Sequence, residues 1–125
     1  MTGNEYQKEA LRTESPTKSF RNVMVMEHDW SGSIRLLEGL IGLSGEAGEA
    51  IDILKKCMFQ GHNLDDEREH MAKELGDVMW YLALSADAIG YSLDEILEMN
   101  VAKLRERYPN GFEASRSRNR ASTDV

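Results

Sequence analysis

The sequence has few of the features that mark secreted or membrane proteins. It contains one cysteine in 125 residues, and Cys57 alone cannot form an intramolecular disulfide. No apolar run near the N-terminus resembles a signal peptide or a membrane span. We therefore expect a soluble, cytoplasmic protein that does not enter a membrane.

Basic residues are also in the minority. The chain has 15 Lys and Arg residues against 22 Asp and Glu residues, which gives a net charge of -7 at pH 7. This balance argues against nonspecific binding to nucleic acid, and it suits divalent cations. A length of 125 residues is enough for one domain with a single core.

The sequence lacks the alternation and turn signals of β-hairpins, whereas its helical periodicity is strong. Over 33–60 the apolar residues recur at steps of four and three, which predicts a long second helix. A similar stripe over 66–89 predicts a third helix. Capping boxes predict a short first helix over 2–13 and a fourth helix over 92–108. Together these elements predict an all-α helical bundle.

The C-terminal region differs in composition from the rest of the chain. Residues 1–112 hold the predicted helices and form the predicted domain. Residues 113–125 have almost no apolar side chains and carry Arg116, Arg118 and Arg120. We expect this polar tail to be mobile unless a partner orders it.

The two long helices are more apolar than a helical pair alone requires. Besides one stripe each, they carry Ile41, Ile51, Met79 and Trp80. Two short flanking helices cannot cover this extra surface. We therefore expect further copies of the chain to complete the bundle, in a homodimer or homotetramer.

Four carboxylates occur as two pairs with the same spacing. Glu46 and Glu49 stand three residues apart on the second predicted helix, and Glu74 and Asp77 repeat that spacing on the third. Each pair lies on one helix face. An isolated acidic pair is usually a solvated face, but antiparallel helices can bring two pairs opposite each other. Hard divalent cations with oxygen ligands relieve the resulting repulsion, so the pattern predicts a site for Mg2+, with Mn2+ as a substitute.

Glycines interrupt the second predicted helix at Gly39, Gly42, Gly45 and Gly48. Helical side chains lean toward the N-terminus, so Glu46 and Glu49 lie over the turn that holds Gly42 and Gly45. We expect this turn to be bare, which leaves room for a metal ion, its waters and a phosphate and lets another helix approach closely. Gly39 and Gly48 do not fit that explanation, and we expect them to serve helix packing.

The motifs resemble those of the MazG-like branch of the all-α nucleoside triphosphate pyrophosphohydrolases. The resemblance spans residues 33–112 and rests on GLSGEAGEAIDILKK, KELGDVMWYLALSADAIG and NVAKLRERYPNGF. That family is marked by E-x-x-E, a helix-loop-helix spacer and E-x-x-D. The resemblance implies magnesium-dependent hydrolysis of a nucleoside triphosphate to a nucleoside monophosphate and pyrophosphate. A role in nucleotide-pool housecleaning or nucleotide supply would follow.

The resemblance also implies roles for the acidic residues. Glu46, Glu49, Glu74 and Asp77 would bind the magnesium that holds the triphosphate. The bound metal would neutralise phosphate charge and lower the pKa of water. Glu49 would orient or deprotonate the attacking water.

The fourth predicted helix supplies candidate substrate-binding residues. Asn100, Lys103 and Arg107 share one helix face. By the resemblance, Lys103 and Arg107 contact the phosphates during catalysis, and Asn100 reaches the sugar or base. The alternative is an exposed helix end that complements the helix dipole. Lys55 follows the first acidic motif and either assists in substrate binding or belongs to a solvated helix end.

Other functions and ligands stay open from the sequence. The chief alternative is a noncatalytic helical interaction module whose acidic cluster is stabilised by a cation. A di-iron protein is disfavoured, because it needs two E-x-x-H units and Glu67 with His70 gives only one. Trp30 would stack on a base or seal the bundle, whereas His28 is expected in a loop.

Overall fold

The computed structural model describes residues 1–15 and 31–122. Trp30 and His28 lie outside these ranges. Within them, the chain forms five helices and no β-strand. These are α1 (Gly3–Leu11), α2 (Ser31–Phe59), α3 (Leu64–Ala88), α4 (Leu93–Arg107) and α5 (Ala114–Arg118). The predicted all-α bundle is confirmed.

The starts of the helices follow local capping signals. In α1, the Thr2 side chain accepts from the Glu5 amide while the Glu5 carboxylate accepts from the Thr2 amide. Ser92 and Glu95 form the same reciprocal pair at the start of α4. Both predicted capping boxes are therefore present, and each satisfies amides that the first helical turn leaves without an intrahelical acceptor.

A short loop joins α2 and α3 into an antiparallel pair, and this pair has the most extensive packing in the described structure. Gly61, with a φ of 74°, lies just beyond the end of α2 in the left-handed region that glycine adopts without strain. A Cβ at Gly39 would overlap Ser85, and one at Gly42 would overlap the ring of Tyr81. The two glycines thus let α2 approach α3 closely.

The core lies where α1 meets the second half of α3 and the start of α4. Its buried members are Ala10, Ala83, Ala86 and Leu93. Trp80 packs against this cluster, and its indole Nε1 donates to Thr13 Oγ1 at 2.7 Å. Trp80 is thus a partly buried side chain at the edge of this core.

The buried side chain of Gln7 links the three helices at this junction. Its Nε2 donates to the carbonyl of Ala83 at 3.3 Å and to that of Tyr91 at 3.1 Å. Its Oε1 accepts from the amide of Leu93 at 3.1 Å. Buried backbone groups need such partners, so one glutamine joins α1 to the turn between α3 and α4.

A second link involves Arg35 on α2. Its guanidinium donates to both carboxylate oxygens of Glu14, at 2.8 and 2.7 Å, and to Asp87 of α3 at 2.8 Å. The hydrogen bond with Glu14 is the largest influence that raises the pKa of Arg35, so the charge is permanent. This network ties the segment after α1 to the long helical pair.

Helix α5 lies in the region that the sequence analysis treats as a polar tail. Its Asn119 C-cap donates from both its amide and its side chain to the carbonyl of Ser115, at 3.0 and 2.9 Å.

None of the described helices combines the length and apolar character needed to cross a membrane.

Candidate active site

The antiparallel arrangement of α2 and α3 brings three of the predicted metal ligands together. One carboxylate oxygen from each of Glu46, Glu74 and Asp77 lies within 4.8 Å of the others. Glu46 is half-buried, the Glu74 side chain is 12% exposed, and Asp77 is exposed. Three oxygen donors around one space, open to solvent on one side, suit a hard divalent cation with waters or phosphate completing its coordination.

Glu49, the fourth predicted ligand, is exposed and is not a member of this three-residue group. It is nonetheless close enough to affect Glu46. Burial raises the pKa of Glu46, and the charges of Glu49, Asp77 and Glu74 raise it further. The neighbouring carboxylates thus add to the effect of burial, and both favour the protonated form of Glu46.

The two glycines beneath Glu46 and Glu49 differ in their surroundings, and each matches one of the two uses expected of a bare turn. A Cβ at Gly45 would meet no described atom within 4 Å, so this position is open. Gly42 instead faces α3 and receives the ring of Tyr81. The two positions differ because residues three apart in an α-helix point in directions that differ by about 60° around the helix axis.

The packing role expected for Gly39 is confirmed by its contact with Ser85. The same expectation for Gly48 is wrong within the described chain, since a Cβ there would meet no described atom within 4 Å.

The side chain of His70 contacts Glu74, and it also contacts Glu67. His70 lies one turn before Glu74 on α3, and its Nε2 is 3.1 Å from Glu74 Oε1. The other ring nitrogen, Nδ1, is 3.1 Å from Glu67 Oε2, while His62 Nδ1 is 3.3 Å from Glu67 Oε1. Hydrogen bonds from His70, and then from His62, lower the pKa of Glu67. His70 therefore contacts both Glu67 and Glu74, and it links Glu67 to the acidic cluster.

His70 was not predicted to contact this cluster, although its spacing of four residues from Glu74 was a usable signal. Tyr6 was also missed. Its hydroxyl donates to the carbonyl of Gly76 at 3.3 Å, which places α1 beside Asp77. Burial raises the pKa of Tyr6, and the charge of Asp77 adds to that effect. No local pattern announces this contact, because 70 residues separate its partners.

Two predicted phosphate ligands lie together in a cationic pocket. The pocket has a volume of about 260 Å³ and lies between the second half of α4 and the C-terminal segment. Its lining residues are Lys103, Glu106, Arg107, Arg116, Asn119, Arg120 and Ala121. None of the four carboxylates of the acidic motifs lines it. The structure thus groups Lys103 with Arg107, in a pocket whose lining excludes the acidic cluster.

The other predicted substrate-binding residues lie elsewhere. Asn100 is exposed and does not line the cationic pocket. Lys55 forms an ion pair with Asp52, which also pairs with Lys56 at 2.7 Å. Hydrogen bonds from Lys55 and then Lys56 lower the pKa of Asp52 to about 2.

Comparison with known proteins places this arrangement in a family. The MazG nucleotide pyrophosphohydrolase domain matches residues 36–112, which is more than half of the chain. The chain therefore belongs to the MazG nucleotide pyrophosphohydrolase family, whose members are hydrolases of phosphoric anhydrides. The family predicted from the sequence is confirmed.

A relative is also known among phage proteins. The Gene 37 protein of Mycobacterium phage L5 is 36% identical over 87 residues, which cover 65% of this chain and 76% of that protein. No solved structure matches the chain significantly. The family match includes both acidic motifs and all of α4, and it ends before α5.

Proposed function

We propose that this protein hydrolyses a nucleoside triphosphate to a nucleoside monophosphate and pyrophosphate in a Mg2+-dependent reaction. The observation that carries the proposal is the convergence of Glu46, Glu74 and Asp77 from facing helices. Family membership gives the class of reaction, and the carboxylates give the means of holding the metal. A role in housecleaning or supply of the cytoplasmic nucleotide pool fits this chemistry.

The acidic residues would act as metal ligands and as a base. Glu46, Glu74 and Asp77 would hold the cation, and Glu49 would either join them or remain at the edge of the group. The bound Mg2+, for which Mn2+ could substitute, supplies charge neutralisation for the phosphates and a lowered pKa for water. The acidic residues favour a divalent ion because their negative charges are crowded together.

Glu49 is the candidate for the water-activating residue. Its exposure and its position outside the three-residue group leave its carboxylate available to accept a proton. The attacking water oxygen forms a bond to phosphorus, the anhydride oxygen leaves with pyrophosphate, and the water proton passes to Glu49. The products then balance as monophosphate, pyrophosphate and one proton.

Lys103 and Arg107 are the proposed phosphate ligands. Both line the cationic pocket, where an ammonium supplies a compact charge and a guanidinium can bridge two phosphate oxygens. Asn100, exposed one turn earlier on α4, would reach the sugar or base. Lys55 is an auxiliary candidate that must leave Asp52 to take part.

A second copy of the chain would complete the bundle. Ile41, Ile51 and Phe59 are 64%, 68% and 77% exposed on α2, far more than a stable isolated helix face usually leaves in water. We propose a homodimer or homotetramer that buries this face. Light scattering at micromolar concentration should give at least twice 14.2 kDa, and a monomer mass would contradict the assembly.

The function is tested by measuring pyrophosphate release from a panel of ribo- and deoxyribonucleoside triphosphates. With Mg2+, the wild-type protein should release pyrophosphate from at least one of them, and excess chelator should stop the reaction. Glu74→Gln should be inactive, whereas Glu69→Gln should be active, because Glu69 lies on the same helix and pairs with Lys73 away from the cluster. No release with Mg2+ or Mn2+ would favour the noncatalytic interaction module.

A further inference from the structure

The cationic pocket owes half of its positive charge to the C-terminal segment. Lys103 and Arg107 come from α4, and Arg116 and Arg120 come from α5 and the residues after it. The family match ends at residue 112, so the second pair lies beyond it. The segment therefore adds two guanidinium groups to the two basic residues already proposed to bind phosphate.

A structured turn brings the segment back onto α4. Gly111, with a φ of 93°, adopts a left-handed conformation after the end of α4. The rings of Tyr108 and Phe112 contact each other at a tilt of 45° with their centroids 5.4 Å apart, and the Arg107 guanidinium lies 5.8 Å from the Tyr108 ring centre. After this turn, residues of α5 and of the end of α4 line the same pocket.

The arginines of the segment differ in their surroundings. Arg116 and Arg120 line the pocket, whereas Arg118 does not. Arg116 is held partly in place by Glu113, with Nε 3.3 Å from Oε2. The segment thus offers two pocket residues and one matched residue outside the pocket.

Charge indicates the kind of ligand that this pocket would take. Four cationic side chains share its lining with one carboxylate, that of Glu106, in a chain whose net charge is -7. An anion that enters this pocket therefore meets mainly positively charged side chains, which attract it. Guanidinium groups match the geometry of phosphate oxygens, and several of them favour an anion with several oxygens.

Size narrows the ligand further. A pocket that encloses a drug-sized molecule measures about 300 to 1,000 Å³. The pocket here, at about 260 Å³, is smaller than that. It suits the oligophosphate part of a nucleotide and leaves the base and sugar outside.

We propose that Arg116 and Arg120, together with Lys103 and Arg107, form the binding pocket for the oligophosphate chain of the substrate, and that the C-terminal segment is part of the substrate-binding site. This inference rests on the proposed function, which it extends with two residues. The guanidinium groups of Arg116 and Arg120 bind the phosphates that leave as pyrophosphate. Because these contacts exist in the bound substrate as well as in the transition state, their loss weakens binding more than it slows turnover.

The test compares the double variant Arg116→Gln/Arg120→Gln with the control Arg118→Gln in the full-length protein with Mg2+. Calorimetry measures binding of inorganic pyrophosphate, and steady-state kinetics measures kcat and KM for the best nucleotide. The double variant should weaken pyrophosphate binding and raise KM by about 10- to 100-fold, the loss expected for charge-assisted hydrogen bonds. The control should resemble wild type in both measurements.

A charge-preserving variant separates a binding defect from a folding defect. Arg116→Lys/Arg120→Lys should recover part of the affinity if these positions bind an anion, and thermal unfolding should be unchanged in both double variants. Wild-type pyrophosphate binding in the Gln double variant would overturn the inference, and so would an equal loss in Arg118→Gln. Failure of the proposed function would appear differently, as an inactive wild-type protein, while pyrophosphate binding would still decide the role of the pocket.

Discussion

His70 Nε2 lies 3.1 Å from the carboxylate of Glu74, a partly buried member of the acidic cluster. Groups behind a metal ligand fix its orientation, and their removal typically weakens metal binding about 10- to 100-fold. We therefore expect His70→Ala to raise the dissociation constant of Mg2+ by that factor in calorimetric titration. His62→Ala is the matched control, because His62 contacts Glu67 and has no bond to Glu74. Equal Mg2+ affinity in His70→Ala and wild type would show that the contact does not support the ligand.

The four acidic motif residues should each be required for turnover. Glu46→Gln, Glu49→Gln, Glu74→Gln and Asp77→Asn remove charge with little change in shape, and each should abolish most pyrophosphate release. If Glu49 serves water and the other three serve the metal, calorimetry will separate them. Glu49→Gln should then keep most of its Mg2+ affinity, whereas the other three variants should lose it. A Glu49→Gln protein with wild-type turnover would rule out its proposed role.

The stability of the metal-free protein should depend on pH through Glu46. Its pKa in the folded chain is raised above the ordinary value of 4.5 by burial and by neighbouring carboxylates. Because the folded state binds the proton of Glu46 more tightly than the unfolded state does, this proton stabilises the fold. Its contribution is present in full below the unfolded-state pKa and is lost as pH rises through the folded-state pKa. In chelator, the melting temperature should therefore fall as the pH is raised above 4.5.

Glu46→Gln should weaken this pH dependence and raise the melting temperature at pH 7 in chelator. Glu69→Gln controls for loss of an exposed negative charge on the same helical pair. Excess Mg2+ should reverse the order at pH 7, since only the wild-type protein keeps the full set of ligands. Identical melting curves for Glu46→Gln and wild type in chelator would contradict this account.

The two cationic residues of α4 should contribute to the transition state as well as to binding. Lys103→Ala and Arg107→Ala should each lower kcat by on the order of 10² to 10³, as is typical when one electrostatic donor is removed. Mg2+ affinity should change little. Arg105→Ala is the matched control on the same helix, since Arg105 does not line the cationic pocket. Asn100→Ala should change the ranking of nucleotides in the panel, and wild-type kcat in both cationic variants would assign this face to a solvated helix end.

The network around Arg35 should matter for stability. Arg35→Lys keeps the charge but loses the planar fork that bonds both oxygens of Glu14, and we expect it to lower the free energy of unfolding by about 1 to 2 kcal/mol. The exposed pair of Arg12 with Glu9 provides the control, because Arg12→Lys should cost less than about 0.5 kcal/mol. Urea denaturation checks both values. Equal denaturation midpoints for Arg35→Lys and wild type would contradict the importance of the network.

Much of the fold could be predicted because its signals are local. The capping boxes at Thr2 and Ser92 and the left-handed glycine at Gly61 depend on residues within one turn of each other. The convergence of Glu46 with Glu74 was also accessible, since a short loop between two long helices leaves few alternatives to an antiparallel pair.

Other features were out of reach because long-range packing decides them. Gly42 could have faced open space or another helix, and the ring of Tyr81 settles the matter only when α2 and α3 are assembled. The approach of Tyr6 to Gly76 and the pocket shared by Arg107 and Arg120 likewise join residues whose local sequences carry no sign of each other.

The bonds of Gln7 mean that the unit of folding is larger than the unit of family similarity. The matched region begins at residue 36, yet Gln7 and Ala10 of α1 lie in the core beneath it. A fragment trimmed to the matched region would expose the carbonyls of Ala83 and Tyr91 and the amide of Leu93 without their glutamine partner. Such a fragment would contain both acidic motifs and still lack the helix that braces the helices carrying them, so recognisable sequence and independent stability have different boundaries in this chain.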